Sequence, residues 1–144
     1  MRKNLTVLLM LLCGALNTQG VTDNSKKSRP QLIDSQPLFE MINQYRVSKG
    51  LKPLLPMGKI YQIASDIYVK SLSKEFEHSA SDKFTENICY YRGYDDPLLE
   101  MLEAWKKSGG HNKTLLGTRQ KYMVVSACYI EDSNESYAVF RGYE

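Results

Sequence analysis

The stretch Trp105-Lys106-Lys107-Ser108-Gly109-Gly110-His111 closes the helical half of this chain, and the residues after it are rich in β-formers. An apolar helical pattern ends at Trp105, Ser-Gly-Gly interrupts it, and a histidine follows directly. The other histidine, His78, also follows a helical pattern, and Thr85-Glu86-Asn87-Ile88 lies between the two. Two imidazoles and a carboxylate at the ends of elements predict a polar cleft. Its expected members are His78, Glu86 and His111.

Three helices are predicted before His111. The first begins near Ser35 and ends at Lys49-Gly50, with a basic last turn and a C-cap glycine. The second runs from Gly58 or Lys59 to Lys74, and the third opens at Asp96-Pro97, where Asp96 can cap the helix. The inward face predicted for the second helix follows i, i+3, i+4, i+7 spacing and comprises Ile60, Ile63, Ala64, Ile67 and Ser71.

The end of the chain predicts an antiparallel hairpin. Tyr122–Ile130 and Ser136–Tyr143 are rich in β-branched and aromatic residues, and a polar turn separates them. A shorter extended segment is expected from Phe84 to Tyr91. Helices followed by a terminal hairpin indicate an α+β fold rather than an alternating parallel sheet.

Residues 1–20 have the features of a secretory signal peptide: Arg2 and Lys3, an apolar run from Leu5 to Leu12, and small residues in Thr18-Gln19-Gly20. The apolar run is shorter than the roughly 20 residues of a membrane span, and we expect no transmembrane segment elsewhere. Residues 21–34 are polar and predict a flexible leader, so residues 35–144 are expected to form one domain. The predicted location is extracellular, or the periplasm or cell surface of a bacterium.

The predicted export of the chain affects how its cysteines are expected to pair. Cys13 falls in the predicted signal, which leaves Cys89 and Cys128. A cysteine pair in an exported domain predicts a disulfide bond, the alternative being two small buried residues that never meet. Lipid attachment at Cys13 is disfavoured because the bulky Leu12 precedes it. The formal net charge of +3 at pH 7 includes Arg2 and Lys3, which would be removed with the signal peptide. The charge that remains is small, so a nucleic-acid partner is not expected.

Five motifs in order give the chain a family resemblance. They are Met41-Ile42-Asn43-Gln44-Tyr45-Arg46 followed by Gly50-Leu51-Lys52-Pro53-Leu54, then Phe76-Glu77-His78-Ser79, Thr85-Glu86-Asn87-Ile88, Trp105 to His111, and Thr114-Leu115-Leu116. The pattern resembles the CAP superfamily of cysteine-rich secretory, antigen 5 and pathogenesis-related proteins (the SCP or TAPS domain). The similarity covers about residues 36–143, and it is greatest to the short, bacterial-style members.

The resemblance implies a three-layer α-β-α sandwich with a small antiparallel sheet. It also implies a central cleft formed by His78, Glu86 and His111, with Asn87, Trp105 and Ser108 in supporting positions. Two histidines and a glutamate can hold Zn²⁺ or another divalent metal with one open position. A hydrogen-bonded polar cluster is the alternative, so no cofactor is certain.

The leading functional hypothesis is a secreted binding module. The expected partner is an extracellular protein, a lipid or sterol, or a cell-surface polymer. Enzyme activity stays open but is not favoured. Its form would be a metal-dependent hydrolase, which requires the three cleft side chains to converge around an open position. A third hypothesis is a sterol or fatty-acid carrier, which requires an apolar groove of roughly 300 Å³ or more.

Overall fold

The structure is a computed structural model that describes residues 28–93 and 95–144. The predicted signal peptide, Cys13 and the leader up to residue 27 lie outside the described residues. Within the described ranges, no helix combines the length and apolar character needed to cross a membrane.

Five strands and four α-helices make up the described part of the chain. The strands are β1 (Gln31–Ile33), β2 (Leu55–Pro56), β3 (Thr85–Arg92), β4 (Tyr122–Ile130) and β5 (Glu135–Tyr143). The helices are α1 (Gln36–Ser48), α2 (Lys59–Ser71), α3 (Pro97–Lys107) and α4 (Gly109–Leu115), and a 3-10 turn spans Glu131–Ser133. The three predicted helices and the two strands of the hairpin are thus confirmed.

The strands form one sheet in the order β1-β4-β5-β3, with antiparallel neighbours along this path. The short β2 pairs in parallel with the start of β4. The predicted hairpin is the centre of the sheet, because β4 and β5 pair from Tyr122↔Tyr143 to Ile130↔Glu135. Asn134, with φ of 50°, supplies the left-handed residue that reverses the chain.

Helices cover both faces of the sheet, as the predicted three-layer α-β-α sandwich requires. Helices α1, α3 and α4 pack on one face, where the core includes Leu38, Ile42, Met101, Leu102, Trp105, Leu115, Met123, Val125, Ala127, Ala138 and Phe140. Helix α2 packs on the other face, where the core includes Val69, Leu72, Ile88, Cys128, Ile130, Tyr137 and Val139. The α+β expectation is confirmed.

The predicted inward face of α2 is wrong. Ile60, Ile63 and Ile67 are 80%, 48% and 67% exposed, whereas Val69 and Leu72 are buried. The helix is rotated so that its isoleucines face outward.

Polar contacts with β4 account for this rotation. Gln62 Nε2 donates to the Val125 carbonyl at 3.0 Å and the Ser126 hydroxyl donates to Asp66 Oδ1 at 2.6 Å. Ser65, which lies next to Asp66 in the helix, is fully buried, although its hydroxyl has no hydrogen-bond partner among the described residues. Because Gln62 and Asp66 find their partners on β4, the side of α2 that carries them faces the sheet.

The structures of two further segments differ from those predicted from the sequence. Gln31–Ile33, assigned to the flexible leader, pairs with β4 as β1. Three residues are too few to show a strand period, and the partner strand fixes their conformation. The stop predicted at Ser108-Gly109-Gly110 is followed at once by α4, so His111 lies in a helix rather than on a loop.

Candidate functional site

Glu86 lies near the start of β3 with its side chain only 6% exposed. Its Oε1 accepts hydrogen bonds from the Ser79 amide at 2.9 Å and the Tyr68 hydroxyl at 3.2 Å, and it lies 3.1 Å from His78 Nδ1. Its Oε2 accepts from the Ser79 hydroxyl and from Arg141 Nε, both at 2.8 Å. These five residues are called the Glu86 cluster. The Tyr68 hydroxyl has one proton and also lies 2.6 Å from the Glu77 carbonyl. The Ser79 amide, the Ser79 hydroxyl and Arg141 Nε are therefore the donors dedicated to Glu86, and together they bind both of its oxygens.

The sheet register brings the ion pair together. Glu86 on β3 stands directly opposite Arg141 on β5, and cross-strand neighbours of opposite charge attract. The Arg141 guanidinium carbon lies 4.1 Å from the centre of the Tyr68 ring and 4.6 Å from that of Phe84. The two aromatic rings therefore hold the arginine in place through cation–π contact.

The hydrogen bonds keep Glu86 ionised. Burial alone would raise the pKa of Glu86, but the Ser79 amide, Arg141 and the Ser79 hydroxyl outweigh it and place that pKa below its ordinary value. Burial and the Glu86 charge raise the pKa of Tyr68 to about 12. At neutral pH Glu86 is therefore a carboxylate and Tyr68 a neutral donor.

The two histidines approach this region from different elements. His78 follows α2 on a loop, with its side chain 54% exposed. His111 lies in α4, where the buried Asn87 side chain donates to its backbone carbonyl at 2.9 Å. Burial, followed by the charge of His78, lowers the pKa of His111. His78 contacts Glu86 directly, whereas His111 is joined to β3 through its backbone carbonyl.

Trp105 and Ser108 have structural contacts. Trp105 is 1% exposed and its indole N–H donates to the Ile88 carbonyl at 3.2 Å, which ties α3 to β3. The Ser108 amide donates to the Ala104 carbonyl at 3.2 Å, and the Ser108 carbonyl accepts from the Asn112 amide at 2.8 Å. Ser108 thus joins the end of α3 to the start of α4.

The predicted cleft residues do not assemble as a ligand set for a metal. In the part of the chain that the structure describes, no group of three or more His, Cys, Asp or Glu side chains is placed to hold an ion. The Glu86 oxygens are already bonded to protein donors, which leaves only the imidazoles of His78 and His111. A zinc site normally uses three or four protein ligands, so metal binding here stays a prediction.

The predicted disulfide bond is wrong. Cys89 and Cys128 are free thiols within the described residues. Cys89 lies against the α1/α3 core and Cys128 in the α2 core, on opposite faces of the sheet. Strand β5 also separates them, so two spacings of about 4.8 Å exceed the roughly 7 Å limit between bridged Cα atoms. Burial raises the pKa of each thiol to about 11.

An open groove lies beside the Glu86 cluster, between α2 and the end of β5, with a volume of about 660 Å³. It is called the aromatic groove and is lined by Met57, Tyr61, Ala64, Lys83, Phe84, Tyr122, Arg141, Tyr143 and Glu144. The Tyr143 ring centre lies 5.5 Å from that of Tyr61 and 5.4 Å from that of Phe84. This groove was not predicted from the sequence, although the pairing of Tyr122 with Tyr143 in the hairpin indicates one of its walls.

The chain is similar to solved structures of two bacterial proteins. The chain is similar to an outer surface protein from Borrelia burgdorferi, with a TM-score of 0.58 and 16% identity over 80% of this chain and 98% of that one. A cysteine-rich secretory protein from Staphylococcus aureus gives a TM-score of 0.44 and 20% identity over 73% of this chain and 36% of that one. The sequence matches no protein-family model and no curated protein. The chain therefore shares its α+β fold with the Borrelia protein.

Proposed function

We propose that this chain is a binding module outside the cytoplasm whose ligand is a single-chain amphiphile held in the aromatic groove. The observation that carries the proposal is the groove itself. Its volume of about 660 Å³ falls within the roughly 300–1,000 Å³ of small-molecule sites. It also exceeds the size that the carrier hypothesis requires.

The chemistry of the lining suits an acyl chain. The Tyr143 ring contacts those of Tyr61 and Phe84, and together with Met57 and Ala64 these residues offer apolar surface. Aromatic and apolar surface of this kind binds by excluding water.

The charges at the groove favour an anionic head group. Arg141 is paired with Glu86, and Glu144 Oε1 lies 3.0 Å from Arg119 Nη2. Lys83 is the remaining charged residue of the lining within the described chain. A fatty-acid carboxylate near Lys83 would form a charge-assisted contact.

The location is part of the same proposal. A signal peptide is predicted from residues 1–20, and the Borrelia protein that shares the fold is described as an outer surface protein. Both support a location at the cell surface or in the extracellular space.

Palmitate binding tests the proposal by calorimetry. A ligand of about 18 non-hydrogen atoms at about 0.3 kcal/mol each gains about 5 kcal/mol, which corresponds to a Kd of about 0.1 mM. Ala64→Trp fills the groove from an exposed position of α2 and is expected to weaken binding by about tenfold or more. Val47→Trp, at an exposed position of α1, is the matched control and should bind like the wild type. Absence of binding at this concentration, or equal binding by Ala64→Trp, would contradict the proposal.

Metal binding is the competing proposal, and it leads to the hydrolase hypothesis. It is supported by the position of His78 Nδ1, 3.1 Å from Glu86 Oε1, and opposed by the protein donors that already bind both Glu86 oxygens. Zinc titration of the wild type and a His78→Ala/His111→Ala variant separates the two proposals. Stoichiometric micromolar binding that the variant loses would favour the metal site. We expect no such binding.

A further inference from the structure

The outward side of α2 carries an apolar stripe formed by Ile60, Ile63 and Ile67. Their spacing of i, i+3 and i+7 places them on one side of the helix. They are 80%, 48% and 67% exposed, so three large aliphatic side chains meet solvent together. Tyr61, also on α2, is 48% exposed. Contiguous apolar surface of this kind on a folded domain marks an interaction site.

The exposed charges on α2 itself are basic. Lys59 and Lys70 are exposed at the two ends of the helix, whereas beyond it Lys74 is offset by the exposed Glu75 and Glu77. Asp66, the one acidic residue in α2, faces the sheet, where it accepts a hydrogen bond from Ser126 at 2.6 Å. The exposed charges of α2 are therefore all positive.

We propose that the stripe is a docking surface for a lipid bilayer containing anionic lipid. A helix with an apolar face and flanking lysines lies in the interface between headgroups and acyl chains, and anionic lipids strengthen the contact. A second copy of the chain fits less well, because two α2 helices would bring lysines together and like charges repel.

The stripe and the aromatic groove are adjacent but separate. Tyr61 and Ala64 belong both to α2 and to the groove lining, whereas the three isoleucines do not line the groove. Docking would therefore place the groove next to the membrane surface, where single-chain amphiphiles partition. The docking inference does not depend on ligand binding in the groove.

A site-specific fluorophore tests the docking surface in the full chain. In a Cys13→Ser background, an environment-sensitive dye is attached through Ile63→Cys or, as the control, through Val47→Cys on α1. The buried Cys128 and partly buried Cys89, whose pKa values are both raised to about 11, are expected to react slowly. Vesicles of phosphatidylcholine with phosphatidylglycerol should shift the emission of the α2 label to the blue and leave the α1 label unchanged. The dye reports its own surroundings, so contact made by another segment does not imitate this result.

Unlabelled variants provide the second measurement. In the chain without the predicted signal peptide, residues 21–144, Ile60→Ser/Ile67→Ser should reduce cosedimentation with the anionic vesicles by about tenfold or more, and Lys59→Gln/Lys70→Gln should reduce it several-fold. The serine variant should bind palmitate like the wild type, which separates this proposal from the proposed function. Equal vesicle binding by the serine variant, or equal shifts of both labels, would overturn the proposal. Concentration-dependent self-association of the wild type without vesicle binding would also overturn it, because the stripe would then bind a second copy.

Discussion

Replacing Glu86 by glutamine tests whether the Glu86 cluster is a structural framework. The side chains of Glu86 and Arg141 are 6% and 9% exposed, and their contact is 2.8 Å. Glutamine keeps the size of the side chain but removes the charge, and it puts an amide NH₂ group where Arg141 and Ser79 already donate. The variant therefore leaves a buried arginine without its counter-ion.

The expected loss of stability follows from this burial. Removing one partner of a buried ion pair destabilises proteins by about 3–5 kcal/mol, out of a total stability of about 5–15 kcal/mol. With an m value of about 1.5 kcal/mol per M of urea, a loss of about 3 kcal/mol lowers the unfolding midpoint by about 2 M. Glu77→Gln changes an exposed carboxylate nearby and should alter stability by less than about 0.5 kcal/mol.

The pH dependence gives an independent signature. Because the folded state lowers the pKa of Glu86, the carboxylate stabilises the fold above the pKa of the unfolded chain. This contribution is lost as the pH falls through the lower pKa of the folded state. Urea unfolding at a series of acidic pH values should show this loss in the wild type, and Glu86→Gln should lack that part of the pH dependence.

Two outcomes would refute the reasoning. One is a destabilisation of Glu86→Gln below about 1 kcal/mol, which would mean that Arg141 does not need its partner. The other is an acid dependence identical in the wild type and the variant. A Glu86→Gln/Arg141→Met variant should recover much of the lost stability, because the unpaired charge is then removed as well.

Three other predictions concern single positions. Cys89 and Cys128 should react with a thiol reagent when the protein is denatured without reductant, and they should resist the reagent in the folded protein. If neither cysteine reacts in the denatured chain, the two form a disulfide bond. Asn87→Ala should lower the unfolding free energy by about 1 kcal/mol, because it removes a hydrogen bond to the His111 carbonyl but also removes the buried Oδ1, which has no partner among the described residues. An unchanged urea midpoint would contradict this. Asp96→Ala should lower it by about 1 kcal/mol, because Asp96 Oδ1 accepts from two amides at the start of α3, whereas Asp96→Asn should retain most of the stability.

Local patterns in the sequence predicted most of the elements. The β-rich composition of Tyr122–Ile130 and the Asp96-Pro97 start of α3 depend on neighbouring residues alone, and both elements appear as predicted. The order of helices and hairpin was then sufficient for the α+β class. The motif resemblance added the three-layer arrangement.

The orientation of α2 could not be predicted in the same way. Its isoleucine spacing is typical of a buried face, yet Gln62 and Asp66 face the sheet because they bond to β4. These contacts join residues about sixty positions apart. Helical periodicity identifies an apolar face but does not say whether the domain itself or a partner covers it.

The candidate site depends equally on long-range pairing. Glu86 was identified from its motif, but its partner Arg141 follows only from the β3–β5 register. That register also separates Cys89 from Cys128, which cysteine counting alone could not reveal. The aromatic groove combines residues from α2, β4, β5 and the loop before β3, and no single segment carries its pattern.

Titration of the ¹⁵N-labelled protein with palmitate, followed by NMR, tests the central claim most directly. The claim is that the aromatic groove binds the ligand while the Glu86 cluster is framework. We expect saturable amide shifts centred on Phe84, Tyr122 and Tyr143, with His78 and His111 unchanged. Shifts centred on the two histidines, or no saturable shifts, would contradict the claim.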